Sequence, residues 1–364
     1  MKKVGIFTYF QTNYGAVLQA FALQHYLQKQ PEVDAEIIDF TTPGHLKAHK
    51  VFQKYNGRNP IRAFKFYFCT CIRYFQLKSR ITRTWDFKKK YFNFSRRFSS
   101  LEDVLLNHPI EDIYVTGSDQ VFNPNDRNVP IYYLGFDKGD GKKVAYAPSF
   151  GISAFNQEIT NKITNYINDF DFLSCREKVG ADYLSSLTGK RVPQVVDPVL
   201  LHDAEEWGKV SIRPKYNKEY IFVYDLNGGE RLLSIAKNIQ KQTGLKIVCL
   251  TCNKTSFYNV NKQIYDAGPS EFLGWIQHAS YVVTDSFHGT VFSLIFNQQF
   301  FSYIANERTS SRIINLLTTV GLKDRIITKD QLQSFDFRSY PVLEKVDMTE
   351  MVDGSKAYIK QFLS

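Results

Sequence analysis

The feature that most constrains the fold is a regular alternation of short apolar runs with longer segments of helical periodicity. Runs rich in Val, Ile and aromatic residues occupy 4–9, 112–116, 220–224 and 281–284, and each ends in a polar turn. Buried parallel strands have this apolar character, and their alternation with helices is typical of α/β folds. The sequence therefore predicts an α/β protein with parallel sheets.

The alternation stops near residues 201–214 and then begins again, which divides the chain in two. A length of 364 residues is sufficient for two domains of ordinary size. We predict an N-terminal domain at 1–205, a C-terminal domain at 206–345, and a terminal helix at 346–364 that can pack back on the first domain.

A basic and aromatic segment interrupts the first predicted domain at residues 44–98. It has fifteen Lys and Arg residues and one acidic residue, a net charge of +14, whereas the whole chain carries +10. Three interpretations stay open: contacts with nucleic acid, docking on an anionic membrane face, and a solvated helical insertion. Because no nucleic-acid-binding motif is present, we expect no nucleic acid partner.

The sequence predicts a cytoplasmic protein without a membrane-spanning helix. It has no run of 18 or more apolar residues, and polar residues at 11–13 interrupt the only apolar stretch that a signal peptide could use. Five cysteines, an odd number, indicate reduced thiols. Cys249 and Cys252 have C-x-x-C spacing, but no second ligand pair completes a zinc site, so we expect no metal.

Polar residues at the first strand-to-helix turn can attract an anion. Asn13 is suited to cap a helix predicted at 15–28, and a helix N-terminus offers unpaired N–H groups. The turn lacks a G-x-G-x-x-G motif, so a dinucleotide site is not supported. Anion binding and simple capping both stay open.

A second polar turn directly follows the predicted strand at 112–116. Carboxylate, hydroxyl and amide groups there would meet at the carboxyl edge of the sheet, where α/β proteins bind ligands. They suit sugar hydroxyls, or a base that deprotonates one; the alternative is a turn that satisfies its own backbone. The residues are Ser118, Asp119, Gln120 and Asn123.

Two further strand ends carry groups that suit anions. Arg176 can hold a carboxylate or phosphate in bidentate fashion, unless it only forms a surface pair with Glu177. The strand predicted at 281–284 runs into a turn containing Asp285, Ser286 and His288, ahead of a helix predicted to begin at Thr290. Histidine in such a turn can donate a proton or hold an anion.

Taken together, these stretches resemble the polysaccharide pyruvyl transferase family. The resemblance runs from about Val4 to Arg325 and does not include the 44–98 insertion. The motifs that carry it are GIFT at 5–8, NYGAVLQA at 13–20, GSDQ at 117–120, YAPSFG at 146–151, SCRE at 174–177, DPVLL at 197–201 and TDSFHGT at 284–290.

The resemblance implies two Rossmann-like domains with parallel sheets facing a cleft, similar to the B-type glycosyltransferase fold. It implies transfer of pyruvate from phosphoenolpyruvate to a sugar of a surface polysaccharide or its lipid-linked precursor. The products would be a cyclic ketal and phosphate, and no cofactor is expected. A lipid-linked oligosaccharide acceptor would place the enzyme at the inner face of the membrane, where 44–98 could make a peripheral contact.

The resemblance also implies roles for individual residues. His288 matches a histidine at or near the reacting centre, and Arg176 matches an arginine that binds the donor. Some family members have an arginine two residues before the histidine; Ser286 occupies that position here, so Arg308 or Arg312 would supply the cation. The predicted site comprises catalytic His288 and Asp119, donor-binding Arg176, Asn13, Tyr14, Gly15, Ser286, Arg308 and Arg312, and acceptor-binding Ser118, Gln120, Asn123 and Asp285.

Two other functions stay open at this point. A B-type glycosyltransferase using a nucleotide sugar would have the same fold, because fold alone does not determine the donor. A non-catalytic protein docked on a membrane through 44–98 is the more distant alternative.

Overall fold

The computed structural model describes residues 1–11, 13–305 and 311–364. In that part of the chain, ten strands form two sheets in which all neighbouring strands are parallel. The strands are β1 Lys2–Phe7, β2 Val33–Ile37, β3 Ile113–Thr116, β4 Lys142–Ala145, β5 Tyr220–Asp225, β6 Lys246–Thr251, β7 Lys262–Ile264, β8 Tyr281–Thr284, β9 Gln299–Ile304 and β10 Ile326–Thr328.

Helices follow most of these strands. The α-helices of the described residues are α1 Tyr14–Gln28, α2 Pro43–Ala48, α3 Pro60–Ile72, α4 Tyr74–Tyr91, α5 Leu101–Asn107, α6 Val129–Tyr132, α7 Gln157–Ile167, α8 Lys178–Thr188, α9 Ala204–Val210, α10 Glu230–Thr243, α11 Pro269–Gln277, α12 Phe287–Ile295, α13 Ser311–Thr319 and α14 Thr349–Leu363.

The first sheet has the strand order β2-β1-β3-β4. The central strand β3 is buried along its whole length, β1 and β4 are buried after their first residues, and the core includes Phe7, Tyr114 and Phe122. The terminal helix α14 packs on the same unit, where the Tyr358 hydroxyl donates to the backbone oxygen of Ala145 at 3.0 Å. The polar turns after β1, β3 and β4 therefore lie along one edge of this sheet.

The second sheet has the order β10-β9-β8-β5-β6-β7, with β5 and β8 at its centre. Both central strands are fully or almost fully buried along their length. Helix α10 ends at Gly244, whose left-handed backbone (φ +72°) suits glycine. The carboxyl ends of β5 and β8 bring the turns at 225–229 and 284–288 next to each other.

The chain forms two compact units: 1–46 with 90–202 and 347–364, and 47–89 with 203–346. This division differs from the predicted one in placing most of the basic insertion with the second unit. The Arg73 guanidinium explains the placement, because it donates to the backbone oxygens of Lys254 and Ser256 and lies over the ring of Phe257.

The sequence pattern also predicts short strands at 36–40, 172–175 and 194–196, and the structure differs at each of them. Segments 172–175 and 194–196 form only isolated bridges, Val144 with Phe172 and Cys175 with Gln194, rather than strands. The second strand lies at Val33–Ile37 instead of 36–40. None of the helices among the described residues is long and apolar enough to span a membrane.

Candidate functional site

The turn after β3 approaches the turn after β4 too closely to admit a side chain at Gly117. A Cβ atom there would lie 1.9 Å from the backbone oxygen of Tyr146, and the backbone has φ +122°. Asp119, two residues on, also has a left-handed backbone at φ +64°. Glycine at 117 therefore lets the predicted Ser118–Asp119 turn lie against the end of β4.

Arg176 is the centre of a buried charge cluster at this edge, rather than half of a surface pair. Its side chain is 4% exposed and forms ion pairs with Glu177 (Nε–Oε1, 3.1 Å) and Asp119 (NH2–Oδ1, 3.8 Å). A third ion pair joins its NH1 to Asp197 Oδ2. The Asp197 side chain is fully buried, so the predicted surface-pair alternative is wrong.

One guanidinium thus faces three carboxylates. Burial favours the neutral form of Arg176, but the carboxylates of Glu177, Asp197 and Asp119 outweigh burial and raise the arginine pKa. A cation bound in this way holds the acidic groups around it in fixed positions.

Ser118 belongs to the support of this cluster. Its side chain is fully buried, and its hydroxyl lies 3.2 Å from Asp197 Oδ2, 3.0 Å from the Ala147 backbone oxygen and 3.4 Å from Arg176 NH1. The Ser118 N–H donates to Gln19 Oε1 of helix α1 at 3.1 Å. The structure gives Ser118 a packing role, and its contact with an acceptor stays a prediction.

The other predicted residues of the first unit form turns and caps. Asn13 caps α1, as predicted, by accepting from the Gly15 N–H at 2.8 Å, and Tyr14 is buried. Gln120 begins a short 3-10 helix beside Gly151, where a Cβ would lie 2.4 Å from Gln120 Nε2. Asn123 accepts from the Asn125 N–H at 3.0 Å, which is the self-satisfied turn considered as the alternative.

His288 lies at the carboxyl edge of the second sheet, in the first turn of α12. The helix begins at Phe287, three residues earlier than predicted, because the Ser286 hydroxyl caps it by accepting from the Gly289 N–H at 3.2 Å. His288 is 6% exposed. A Cβ at Gly289 would lie 2.6 Å from Thr284 Oγ1, so glycine allows the helix to begin against the end of β8.

Asp285 binds backbone rather than lying open to a ligand. Its carboxylate accepts from the N–H groups of Leu226 at 2.9 Å and Asn227 at 2.8 Å. Burial raises the Asp285 pKa, against the lowering effect of these two hydrogen bonds. Asp225 acts similarly on the same loop, accepting from the Gly229 N–H at 2.9 Å. The role of Asp285 toward an acceptor stays a prediction.

Arg312, one of the two predicted cations, lies near Phe287, the residue before His288. It lies in the first turn of α13, with its guanidinium carbon 5.8 Å from the centre of the Phe287 ring. Phe287 in turn lies edge-on to the His288 ring at 5.2 Å. Arg308 lies outside the described residues.

Sequence reasoning gave no role to Asp197, Gln19 or Asp225. Asp197 stands in one of the motifs that carried the family resemblance, directly after the apolar pair at 195–196. An acidic residue at the end of an apolar run was the available signal. Gln19 had no such signal, because a glutamine within a helix is ordinarily exposed.

Comparisons with known proteins agree on family and fold. A model of the family described as polysaccharide pyruvyl transferase matches residues 13–308. A search of curated proteins found no match. Among solved structures, the chain is similar to S. aureus MnaA in a co-structure with UDP, at 14% identity and TM-score 0.56, covering 100% of this chain and 97% of that one.

The UDP-GlcNAc 2-epimerase from Methanocaldococcus jannaschii is similar at 14% identity and TM-score 0.55, covering 100% of this chain and 99% of that one. At these identities the likeness establishes the fold alone, and it confirms two Rossmann-like parallel sheets of the kind found in B-type glycosyltransferases. The family match covers most of the sequence. The chain therefore belongs to the polysaccharide pyruvyl transferase family and is a transferase.

Proposed function

We propose that the protein transfers pyruvate from phosphoenolpyruvate to two hydroxyls of one sugar, in a surface polysaccharide or its lipid-linked precursor. The observation that carries the proposal is the family match over residues 13–308, which includes His288 and the other polar strand ends. The reaction would form a cyclic ketal and release phosphate.

The donor anion would bind in the second unit, at the start of α12. A helix N-terminus attracts anions through its N–H groups and dipole. Two basic side chains favour anion binding at the start of α12. His288 lies in the first turn of the helix, and Arg312 lies near the ring of the neighbouring Phe287. The arginine missing at Ser286 would thus be replaced by Arg312, on a different helix.

The chemistry follows from the enol phosphate of the donor. His288 would protonate the methylene carbon, which leaves an oxocarbenium-like carbon bearing the phosphate and carboxylate. A sugar hydroxyl adds to that carbon and loses its proton. The C–O bond to phosphate then breaks, and a second hydroxyl adds to the same carbon, gives its proton to the departing phosphate and closes the ketal. Asp119 is the proposed base for a hydroxyl proton.

Arg176 enters the proposal mainly as the residue that positions Asp119. Its guanidinium is already bound to three carboxylates, and that geometry favours orientation of Asp119 over direct capture of the donor. Direct contact between Arg176 and the donor remains the family-based alternative. The two roles differ in their consequence: a positioning residue affects turnover, whereas a donor ligand affects donor affinity.

Titration calorimetry with phosphoenolpyruvate, and separately with UDP-GlcNAc, tests the donor. We expect phosphoenolpyruvate to bind the wild type and to lose at least tenfold in affinity in Arg312→Ala. Arg338→Ala, which removes an exposed arginine of the same unit, is the matched control and should bind normally. Binding of UDP-GlcNAc without phosphoenolpyruvate would replace the proposal with the nucleotide-sugar alternative, which the UDP co-structure of a similar fold favours.

The role of His288 is tested by phosphate release with purified polysaccharide acceptors. His288→Gln keeps the size and a hydrogen-bonding group but removes the acid. Loss of a general acid typically lowers the rate about 10²–10⁴-fold. We therefore expect phosphate release to slow by that factor in His288→Gln, while the affinity for phosphoenolpyruvate changes less than tenfold. Unchanged turnover would exclude His288 as the proton donor.

A further inference from the structure

Helix α3 presents an apolar stripe to solvent. Ile61, Phe64, Phe68 and Ile72 are 78%, 72%, 53% and 55% exposed. Their spacing of three, four and four residues places them on one face of the helix. Phe75, 83% exposed, extends the stripe just past the start of α4. We call these five residues the α3 stripe.

The opposite face of α3 packs against the rest of the second unit. Cys69 and Thr70 are fully buried there. Arg73, directly after the end of α3, is also buried. Its guanidinium carbon lies 4.0 Å from the centre of the Phe257 ring and 3.9 Å from the centre of the Tyr265 ring. The helix is therefore packed on one side while its most apolar side faces water. An exposed apolar patch of this kind marks a binding surface.

Cations surround the α3 stripe. Arg58, Arg62 and Lys65 are exposed next to it, and Lys54 is exposed in the preceding loop. Asp86 is the only acidic residue in the whole 44–98 segment, against fifteen Lys and Arg. The surface thus combines exposed hydrocarbon with a concentrated positive charge.

We propose that α3 docks the protein on an anionic lipid bilayer, with the α3 stripe inserted among the acyl chains and the cations at the headgroups. Interfacial helices have this arrangement of Phe and Ile on one face and Lys and Arg at its border. Each basic residue near an anionic leaflet adds to the attraction.

Charge complementarity selects the bilayer over other occupants. A second copy would bring another +14 segment against the first, and like charges oppose that contact. Nucleic acid would neutralise the cations and could stack on the phenylalanines, but it would leave the exposed aliphatic side chains of Ile61 and Ile72 against a polar partner, whereas acyl chains bury them. The inference does not depend on the donor or on the reaction, because no residue of the α3 stripe belongs to the candidate site.

Co-sedimentation with vesicles tests the proposal. We expect the full-length protein to bind phosphatidylcholine vesicles containing 30% phosphatidylglycerol at least tenfold more tightly than pure phosphatidylcholine vesicles. Phe64→Ser with Phe68→Ser should reduce binding to the anionic vesicles at least tenfold. Arg62→Glu with Lys65→Glu should do the same, and raised salt should weaken the wild type.

Matched controls lie elsewhere on the surface. Leu106 and Ile110 are 73% and 89% exposed, so Leu106→Ser with Ile110→Ser removes comparable apolar groups outside the stripe. Lys190→Glu with Lys215→Glu reverses two exposed cations outside 44–98. Both controls should bind the anionic vesicles like the wild type.

Three results would overturn the proposal. The first is equal binding of the wild type to neutral and anionic vesicles, or no binding to either. The second is unchanged vesicle binding by the Phe64→Ser, Phe68→Ser variant. The third is a dimer, measured by light scattering, that dissociates in that same variant, which would assign the α3 stripe to a second copy. Measuring phosphoenolpyruvate affinity on the same protein distinguishes the two proposals, because donor binding without vesicle binding contradicts the docking of α3 but not the proposed reaction.

Discussion

The carboxyl edges of the two sheets are built from similar residues but use their charges differently. At the first edge, the carboxylates of Asp119, Glu177 and Asp197 bind a side-chain cation, Arg176, that is 4% exposed. At the second edge, Asp225 and Asp285 bind backbone N–H groups of the loop after β5. The first edge is held by ion pairs between side chains, and the second by hydrogen bonds from carboxylates to backbone N–H groups, both within the loop and between the turns after β5 and β8.

This difference indicates how each edge can serve a reaction. The ion pairs of Arg176 hold the carboxylates of three turns in place around one cation, and carboxylates held in this way suit the binding of hydroxyl groups. The second edge keeps a helix N-terminus with His288 in its first turn, which suits an anion. The two edges should therefore respond to mutation with different magnitudes.

The largest effect is expected from Arg176→Ala. Removing the guanidinium leaves three carboxylates without their cation, one of them fully buried. Loss of one partner of a buried ion pair costs about 3–5 kcal/mol, and we expect that loss in the free energy of urea unfolding at pH 7. Arg338→Ala removes an exposed arginine and should change the free energy of unfolding by less than about 1 kcal/mol. A loss below about 1 kcal/mol in Arg176→Ala would contradict the buried-cluster description.

A backbone substitution at the same edge should have the next largest effect. In Gly117→Ala the new Cβ would meet the Tyr146 backbone oxygen at 1.9 Å, and the left-handed φ of +122° disfavours alanine. We expect a loss of about 2–4 kcal/mol in unfolding free energy, from overpacking and backbone strain together. Gly139→Ala is the control, since glycine there also has positive φ (+52°) but nothing lies within 4 Å. Equal losses in both variants would mean that close packing at Gly117 is unimportant.

Much of the fold was predictable because it depends on local pattern. The sequence pattern predicts a helix over 230–243 as well as the strand over 281–284, and α10 and β8 occupy those ranges, since hydrophobic periodicity and a following glycine or polar turn define both. The bounds of β2 were less predictable, because 33–40 is apolar enough to pair in either register. Pairing with β1 selects Val33–Ile37.

The candidate site was predictable in its position along the chain but not in its contacts. The polar turns predicted after the first strand, after 112–116 and after 281–284 follow β1, β3 and β8 of the parallel sheets, whereas Arg176 follows a segment that forms only isolated bridges. Which carboxylate binds Arg176 depends on the approach of segments separated by tens of residues, as between Arg176 and Asp197 or Asp119. No periodicity carries that information. The cap formed by Ser286 was likewise hidden, because the helix begins three residues earlier than its apolar run suggested.

The amino end of the first sheet provides a contrast to the Arg176 cluster, because the carboxyl groups of Glu36 and Glu111 meet there and burial outweighs the effect of the nearby Lys3 cation. Burial, followed by the charge of Glu36, raises the Glu111 pKa to about 7. Since the folded pKa exceeds the ordinary 4.5, Glu111 stabilises the fold below about pH 4.5, and this contribution is lost as pH rises through 7.

Glu111→Gln removes that titration and should therefore stabilise the protein at pH 8 by about 2 kcal/mol, with a difference that shrinks toward pH 5. Thermal unfolding across that pH range measures it. Glu344→Gln, at an exposed position, is the control and should follow the wild type at every pH. A pH-independent difference for Glu111→Gln would mean that Glu111 is ionised in the folded protein.

The smallest effect is expected at the second edge, from Ser286→Ala. The hydroxyl caps α12 by accepting from the Gly289 N–H, and loss of such a cap costs about 1 kcal/mol. Ser100→Ala is a matched control, because Ser100 caps α5 in the same way by accepting from the Asp103 N–H at 3.1 Å. If Ser286 acts only as a cap, the two variants lose similar stability and bind phosphoenolpyruvate with equal affinity. A tenfold lower affinity in Ser286→Ala alone would instead place its hydroxyl in contact with the donor, so that one side chain at this edge would serve both the fold and ligand binding.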